Sequence, residues 1–430
     1  MFTKKTVRDI DLKAKTVLLR ADYNVPLQDG NITDDYRIQQ SVPTLKYLLK
    51  QGAKIVICSH LGRPTGQNDL AQSLKPVAVR LQELLGHEVA FAADCVGTVA
   101  QQQVDTLQPG QVILLENLRF HKQEEANDPE FARQLASLAD VFVQDGFGVV
   151  HRAHASTEGV THYLPSVAGF LLEREVDTIT NVMKKPQRPL VAVVGGAKIA
   201  DKIDILHRLI KIADFVAVGG AMANTFLKAQ GVDVAASLVD SAELSVARDI
   251  IKQVKDEAKT RKFVFYIPQD GVVASKIDSA ASTRIVDWSA HVIADIENYP
   301  KRAPSTSGQI VNDEMILDIG PFSGAFIAGA IQLAATVVWN GTMGVTETAG
   351  LQGPIGPFAQ GTNLVMEAML GQYGDTANKP FSLVGGGDTV GYVEQRGLLK
   401  AFNHVSTGGG ASLELMAGRK LPGVEALLDA

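Results

Sequence analysis

Cysteine is scarce in this chain. Cys58 and Cys95 are the only two in 430 residues, which excludes a disulfide scaffold and suits a reducing compartment, so a cytoplasmic protein is expected. An excess of one charge is missing too. The 41 basic and 47 acidic residues leave a net charge of -6, giving no global field for nucleic acid or an anionic membrane; neither is expected as a partner, and any anion site must be local. The start of the chain, with Lys4, Lys5, Arg8, Asp9 and Asp11, has no apolar run of the secretory kind. Residues 319–346 carry no charge and exceed the roughly 20 needed to cross a bilayer. Gly320, Pro321, Gln332, Asn340 and Gly341 interrupt them, and the run is read as a buried helix feeding a buried strand. Both common nucleotide fingerprints are also missing: no Gly-Lys pair for a Walker A loop, and no GxGxxG.

What is present is material for two cores, since single cores stop growing near roughly 250–300 residues. Short apolar runs alternate with helical patterns, the mark of βαβ units on largely parallel sheets. In the first half, strands are predicted at residues 16–20, 54–58, 88–91, 111–115 and 141–143. Val42, Leu45, Leu48 and Leu49 form one helix face closed by Gly52, and Leu74, Val77, Leu81, Leu84 and Leu85 another closed by Gly86. In the second half, predicted strands at 190–194, 215–218, 336–339, 382–384 and 404–406 each run into glycines. Ligands of open α/β sheets sit beyond the carboxyl ends of the strands, so glycine turns there suggest a nucleotide. Leu172, Val176, Ile179, Val182 and Met183 keep helical spacing until Pro186 and Pro189, which predicts one connecting helix. Residues 347–380 read as a loop-like surface excursion.

In the first half the predicted strand ends carry polar and basic residues. Asp22 and Asn24 follow the first strand, His60 and Arg63 the second, Arg119 the fourth, and His151, Arg152 and His154 the fifth; Arg37 follows a turn and can join them. Arginine grips phosphate and carboxylate bidentately, and converging arginines imply a ligand with several negative charges. A lone arginine is more often a solvated surface residue. Their matching strand-end positions argue for a site. The histidines form no metal ligand set. Asp22, beside so many arginines, is expected to stay ionised and accept from a substrate hydroxyl.

In the second half Gly195-Gly196-Ala197-Lys198 is expected to open a helix with Ile199, Ile203, Leu206 and Ile210 inward and with Lys198 and Lys202 in its first turns. Two lysines at a helix N-terminus oppose the macrodipole unless phosphates lie against them. Gly385-Gly386-Gly387-Asp388-Thr389 follows another strand. Asp388 there is a hard oxygen donor suited to Mg²⁺, and Thr389 offers a hydroxyl. Glu347, beyond Asn340 and Gly341, is a candidate for ribose hydroxyls.

Nine segments in this order, RADYNVP (20–26), ITDDYRI (32–38), SHLGRP (59–64), LENLRF (115–120), HRAHAS (151–156), GGAK (195–198), WNG (339–341), GGGDT (385–389) and STGGGA (406–411), resemble the phosphoglycerate kinase family of glycolysis over nearly the whole chain. The resemblance implies an α/β protein of two Rossmann-like lobes, each a largely parallel sheet flanked by helices. Residues 1–170 would form the substrate lobe, with 412–430 packing back on it, 171–188 a helical hinge that closes a cleft, and 189–411 the nucleotide lobe. It further implies that Asp22, Tyr23, Asn24, Arg37, His60, Leu61, Gly62, Arg63, Arg119 and Arg152 hold 3-phosphoglycerate or 1,3-bisphosphoglycerate. Gly196, Lys198, Lys202, Asn340, Glu347, Gly386, Gly387, Asp388 and Thr389 would hold Mg-ATP or Mg-ADP, with Asp388 toward the metal and Arg37, Lys198 and Lys202 catalytic, in a monomer. The chain departs from the family's usual reading at Gln144, Gly146, Thr342 and Thr346, and additions around 290–312 and 348–380 lengthen the second lobe.

The acceptor in that reaction is a carboxylate, ionised at neutral pH because such acids have pKa values near roughly 3.5–4. Transfer therefore needs positioning and charge neutralisation and no general base. The enzyme alternative is a kinase of a smaller acid such as acetate or carbamate, which would not require so many arginines. The other is a catalytically weakened nucleotide-binding or surface-binding protein on the same fold.

Overall fold

The computed structural model describes residues 2–66, 69–288, 309–351, 353–373 and 379–430. The chain forms two units, Met1–Asn181 with Thr407–Ala430, and Val182–Ser406.

The first unit is built on β1 (Thr16–Arg20), a small ribbon of β2 (Leu27–Gln28) and β3 (Asn31–Ile32), then β4 (Lys54–Cys58), β5 (Val89–Ala92), β6 (Val112–Leu115), β7 (Val141–Gln144) and β8 (Ser166–Ala168). The main sheet has the order β5-β6-β4-β1-β7-β8, and every pairing in it is parallel. Its strands are apolar at successive positions because both faces are covered. Val17, Leu19, Ile55, Ile57 and Leu114 point into one core with Leu45, Leu48, Val77 and Leu81 of helices Tyr36–Lys50 and Lys75–Leu85. Leu18, Val56, Ile113 and Phe142 point into another with Phe131 and Leu135 of helix Pro129–Ala136. Gly86 closes helix Lys75–Leu85 in the left-handed conformation, as expected from its place after the periodic run.

The C-terminal segment joins the first unit at Thr407, five residues before the expected boundary at Ser412. The cause is a buried carboxylate: Glu175 accepts from the Thr407 N–H at 2.7 Å and its hydroxyl at 2.8 Å. Farther along, the Lys5 N–H donates to the Leu428 carbonyl and the Leu428 N–H to that of Ser166. The division between units falls inside helix Phe170–Lys184. Asp145 accepts from the Leu171 and Leu172 N–H groups at its start, and burial pushes that carboxyl up to about 7.

The second unit contains β9 (Leu190–Val194), β10 (Phe215–Val218), β11 (Val264–Tyr266), β12 (Asp270–Ala274), β13 (Arg284–Asp287), β14 (Met315–Ile319), β15 (Thr336–Asn340), β16 (Phe381–Gly385) and β17 (His404–Val405). A parallel sheet runs β11-β10-β9-β15-β16-β17, and a small antiparallel sheet runs β13-β12-β14. The antiparallel sheet, β8 and β11 are not among the predicted strands. β8 and β11 have only three residues each, and β13 alternates buried and exposed positions too briefly to stand out.

Two expectations need correction. Residues 360–369 are an α-helix within the stretch read as loop; seven of its ten residues are buried, so it has no polar face to reveal a helical period. The uncharged run does form helix Pro321–Gln332 and the buried strand β15, but the helix is only half covered: Phe322 is 49% and Phe326 47% exposed. Among the described residues no helix is long and apolar enough to cross a membrane. Most of the addition near 290–312 lies outside the described residues.

Candidate active site

In the first unit the carboxyl ends of β1, β4 and β6 bring a connected set together. Arg37 donates to the Asp22 carboxylate at 2.9 Å and to the Asn24 carbonyl at 3.3 Å. Asn24 Oδ1 accepts from the Gly62 N–H at 2.8 Å, and Arg119 donates to the Gly62 carbonyl at 2.8 Å. Gly62 has φ +59°, the left-handed region that favours glycine, and a Cβ there would displace the end of the Gln72 side chain, 1.8 Å away. Asn117, absent from the predicted site, fixes the same loop: its side chain accepts from the Leu61 N–H and donates to the Leu61 carbonyl.

Beneath this edge lies a buried polar chain. Arg20 donates through Nε to Ser156 Oγ at 2.8 Å, and Ser156 donates to Glu124 Oε1 at 2.5 Å. Arg20 also lies 3.2 Å from His60 Nδ1. Burial, with Arg20, Arg119 and Arg37 close by, holds the His60 imidazole well below its usual range. Burial, with Arg119 and Arg20 close by, brings His154 down to about 4. Both rings are therefore neutral at pH 7. Arg119 is itself held below the usual arginine range, by burial first and by Arg152 and Arg20, with Glu125 opposing at 3.0 Å. Crowded, partly desolvated guanidiniums of this kind are relieved by an anion.

Arg63 and Arg152 stand exposed, Arg152 donating to His151 Nε2 at 3.1 Å. Tyr23 departs from its expected place. Its ring is fully buried and its hydroxyl pairs with Ser41 at 2.9 Å. Leu61 is also buried and contributes loop shape only. Gly146 has no room to spare: a Cβ there would lie 3.1 Å from the Ala21 carbonyl carbon, so this glycine seats the loop after β7 against the end of β1.

In the second unit Lys202 threads between glycines. A Cβ on Gly341 would come 2.7 Å from its ammonium nitrogen, which donates to the Asn340 carbonyl at 2.9 Å and to Asn340 Oδ1 at 2.5 Å. Burial lowers Lys202 to about 8, against the pull of Asp388 and Asp201. The helix does not open at Lys198. A 3-10 turn spans Ala200–Lys202, and the α-helix runs Ile203–Ile212 with Ile205, Leu206, Leu209 and Ile210 inward. Glu243 is the reason: its carboxylate takes the Ile199 and Ala200 N–H groups at 2.8 and 2.7 Å, so those donors do not await a phosphate. Lys198 is exposed beside this turn.

The glycine turns mostly serve one another. A Cβ on Gly195 would lie 1.9 Å from the Thr342 carbonyl, and one on Gly220 2.6 Å from that of Gly196. Thr389, expected to offer its hydroxyl, is buried and accepts the Gly341 N–H at 2.6 Å. Gly387 faces open space, next to the exposed Asp388.

A cavity of about 230 Å³ opens beside these loops. Gly196, Glu347 and Asp388 line it; Asn340, Lys202 and Thr389 are not on its wall and brace the loops around it. Much of the wall was invisible in the sequence: Leu227, Leu238, Trp288, Met315, Leu317 and Val345 are apolar residues from helix Ala221–Ala229, the antiparallel sheet and loops, with no motif to mark them. Asp318 also lines it, but its carboxylate accepts from the Gly361 and Ile319 N–H groups, and burial pushes it up to about 8.

Two parallel-sheet α/β units, one with an arginine-rich edge and one with glycine turns around a pocket, define the class as a phosphotransferase of two lobes. The phosphoglycerate kinase family model matches residues 7–419. The phosphoglycerate kinase of Pelotomaculum thermopropionicum is 46% identical over 99% of both chains, and that of Desulforapulum autotrophicum 47% identical over 98% of this chain and all of its own. Among solved structures, phosphoglycerate kinase from Coxiella burnetii aligns with a TM-score of 0.80 at 35% identity, covering 98% of each chain. That from Pyrococcus horikoshii aligns at 0.76 and 29% identity, covering 99% of this chain and 98% of its own. The chain belongs to the phosphoglycerate kinase family.

Proposed function

We propose that the chain catalyses reversible phosphoryl transfer between 1,3-bisphosphoglycerate and ADP, giving 3-phosphoglycerate and ATP. The observation that carries this reading is the linked set Asp22–Arg37, Asn24–Gly62–Arg119, where partly desolvated guanidiniums cluster on one strand-end edge. Arg37, Arg119, Arg63 and Arg152 bind the acid's phosphate and carboxylate, and Asp22 and Asn24 orient its hydroxyl. His60 is neutral, so it positions and does not act as a cation.

The second unit holds the nucleotide. Its base enters the apolar cavity, Glu347 meets the ribose, and the phosphates run past Asp388 toward Lys198 and Lys202. The donor set fits magnesium: Asp388 is an exposed carboxylate at the pocket, and Mg²⁺ keeps several waters and binds through one or two carboxylates plus phosphates. When bound, it neutralises phosphate charge.

Because the attacking carboxylate is already ionised, no proton need be removed from it. Arg37 and the two lysines neutralise the oxygens of the transferring group during direct in-line transfer. Two free, buried cysteines support a reduced, cytoplasmic setting, and we read the chain as a monomer. A coupled assay with 3-phosphoglycerate and Mg-ATP tests the whole reading. Turnover with this acceptor and not with acetate or carbamate is expected; nucleotide binding without turnover would leave only a binding protein.

A further inference from the structure

Of the two tryptophans in the chain, Trp339 is fully buried, whereas Trp288 is half-buried and lines the cavity of the second unit. Its place is set by the antiparallel sheet. β13 ends at Asp287, and the next residue, Trp288, donates its backbone N–H to the Gln269 carbonyl at 3.2 Å. The indole N–H donates to the Pro268 carbonyl at 2.9 Å. A Cβ on Gly271 would fall 2.6 Å from the six-membered ring, so the ring lies against bare backbone. The side chain thus has its one donor satisfied, one side supported, and little rotational freedom left to lose.

The two sheets supply different chemistry to the cavity. Glu347 comes from the loop beyond β15 of the parallel sheet, and Asp388 from the first turn of helix Gly387–Glu394, which follows β16. Trp288, Met315, Ile316 and Leu317 come from the antiparallel sheet and its border. Two carboxylates on that side, Asp270 and Asp318, are turned to backbone: Asp270 accepts from the Phe322 and Ser323 N–H groups, and Asp318 from those of Gly361 and Ile319. This side is therefore apolar and aromatic and suits a flat heterocycle; the other adds two carboxylates, which suit hydroxyls and a phosphate-bound cation.

We propose that Trp288 is the residue against which the nucleotide's base packs, and that it sets affinity for the base independently of the phosphates. The proposal rests on the cavity being the nucleotide site. A preorganised aromatic wall contributes to binding chiefly because it is already ordered before the ligand arrives.

Titration calorimetry on the full chain with Mg-ADP and with magnesium tripolyphosphate, which lacks a base, separates the terms. Trp288→Ala should weaken Mg-ADP by about tenfold, the scale of one base–aromatic stack, and leave tripolyphosphate unchanged. Trp288→Phe should keep Mg-ADP within about threefold of wild type, and should abolish a quench of tryptophan emission that Mg-ADP causes in the wild-type chain. Unchanged Mg-ADP affinity in Trp288→Ala, with wild-type binding intact, overturns this role alone. Equal loss of both ligands also overturns it, because the residue would then support the pocket's fold. A wild-type chain that binds neither ligand overturns the nucleotide-site reading, and this proposal with it.

Discussion

The Lys202 ammonium donates to both oxygens of Asn340, the carbonyl at 2.9 Å and the side-chain amide at 2.5 Å. The lysine is thereby held at the end of β15 with its charge partly desolvated and its pKa brought down to about 8. Its proton is consequently easier to lose than that of a surface lysine.

For activity, we expect kcat/KM to fall as pH rises through about 8, as the unliganded enzyme loses the Lys202 charge. Lys202→Arg should remove that limb and, having a different donor geometry, lower the plateau. A pH–rate profile identical in the two proteins would place the ionisation elsewhere. Bound phosphates favour the charged form, so Mg-ADP binding near pH 8 should take up protons, measurable by calorimetry in buffers of different ionisation enthalpy.

Arg37→Ala removes the ion pair with Asp22 and a cation from the acid site. Turnover should drop by about 10³ or more, the scale of an arginine acting on a transferring phosphoryl group. Arg37 is half-buried, and the circular dichroism spectrum should not change. Near-normal turnover in this variant would remove Arg37 from the mechanism.

Glu243→Ala leaves the Ile199 and Ala200 N–H groups without their carboxylate. Loss of this cap should cost about 1–2 kcal/mol in urea unfolding of the chain and weaken Mg-ADP binding, because the turn carries Lys198 and Lys202. Glu243→Gln should recover part of both. Wild-type nucleotide affinity in Glu243→Ala would show that the lysines hold their places without it.

Asp318 gives a pH dependence of stability opposite in sign to that of a salt-bridged carboxylate. Its folded pKa, about 8, lies above the ordinary 3.8. The folded state therefore binds the extra proton between these values, and the contribution is complete below about 3.8 and lost as pH rises through about 8. The melting temperature of wild type should decline more between pH 6 and pH 9 than that of Asp318→Asn. Parallel curves would mean the carboxyl is already ionised in the folded chain.

Much of this was legible in the linear sequence, and for identifiable reasons. β1 and β4 were located residue by residue because their alternate positions feed two cores, leaving unbroken apolar runs between polar turns. Asp22, Asn24 and Arg119 drew attention because polar and charged residues stand where such runs stop, and the structure ties Arg37 to Asp22 and Asn24. The strand β13 and helix Gln360–Met369 were missed because the first is a short edge strand of four residues and the second is buried on nearly all sides. Glu243 and Asn117 were missed because a capping carboxylate or a bracing amide looks like any other polar residue until its partner, 44 or 56 positions away, is placed beside it.

By itself the sequence determined the strand and helix periods, the two-lobe plan and the set of charged groups, since burial period and side-chain chemistry are local properties. Only the tertiary structure decided which groups are available. It turned Tyr23 and Thr389 inward and let the glycines pack against each other. Beside Lys202 it placed Asn340, and around the cavity a wall with no motif, because desolvation and hydrogen-bond pairing depend on neighbours that the chain order does not name.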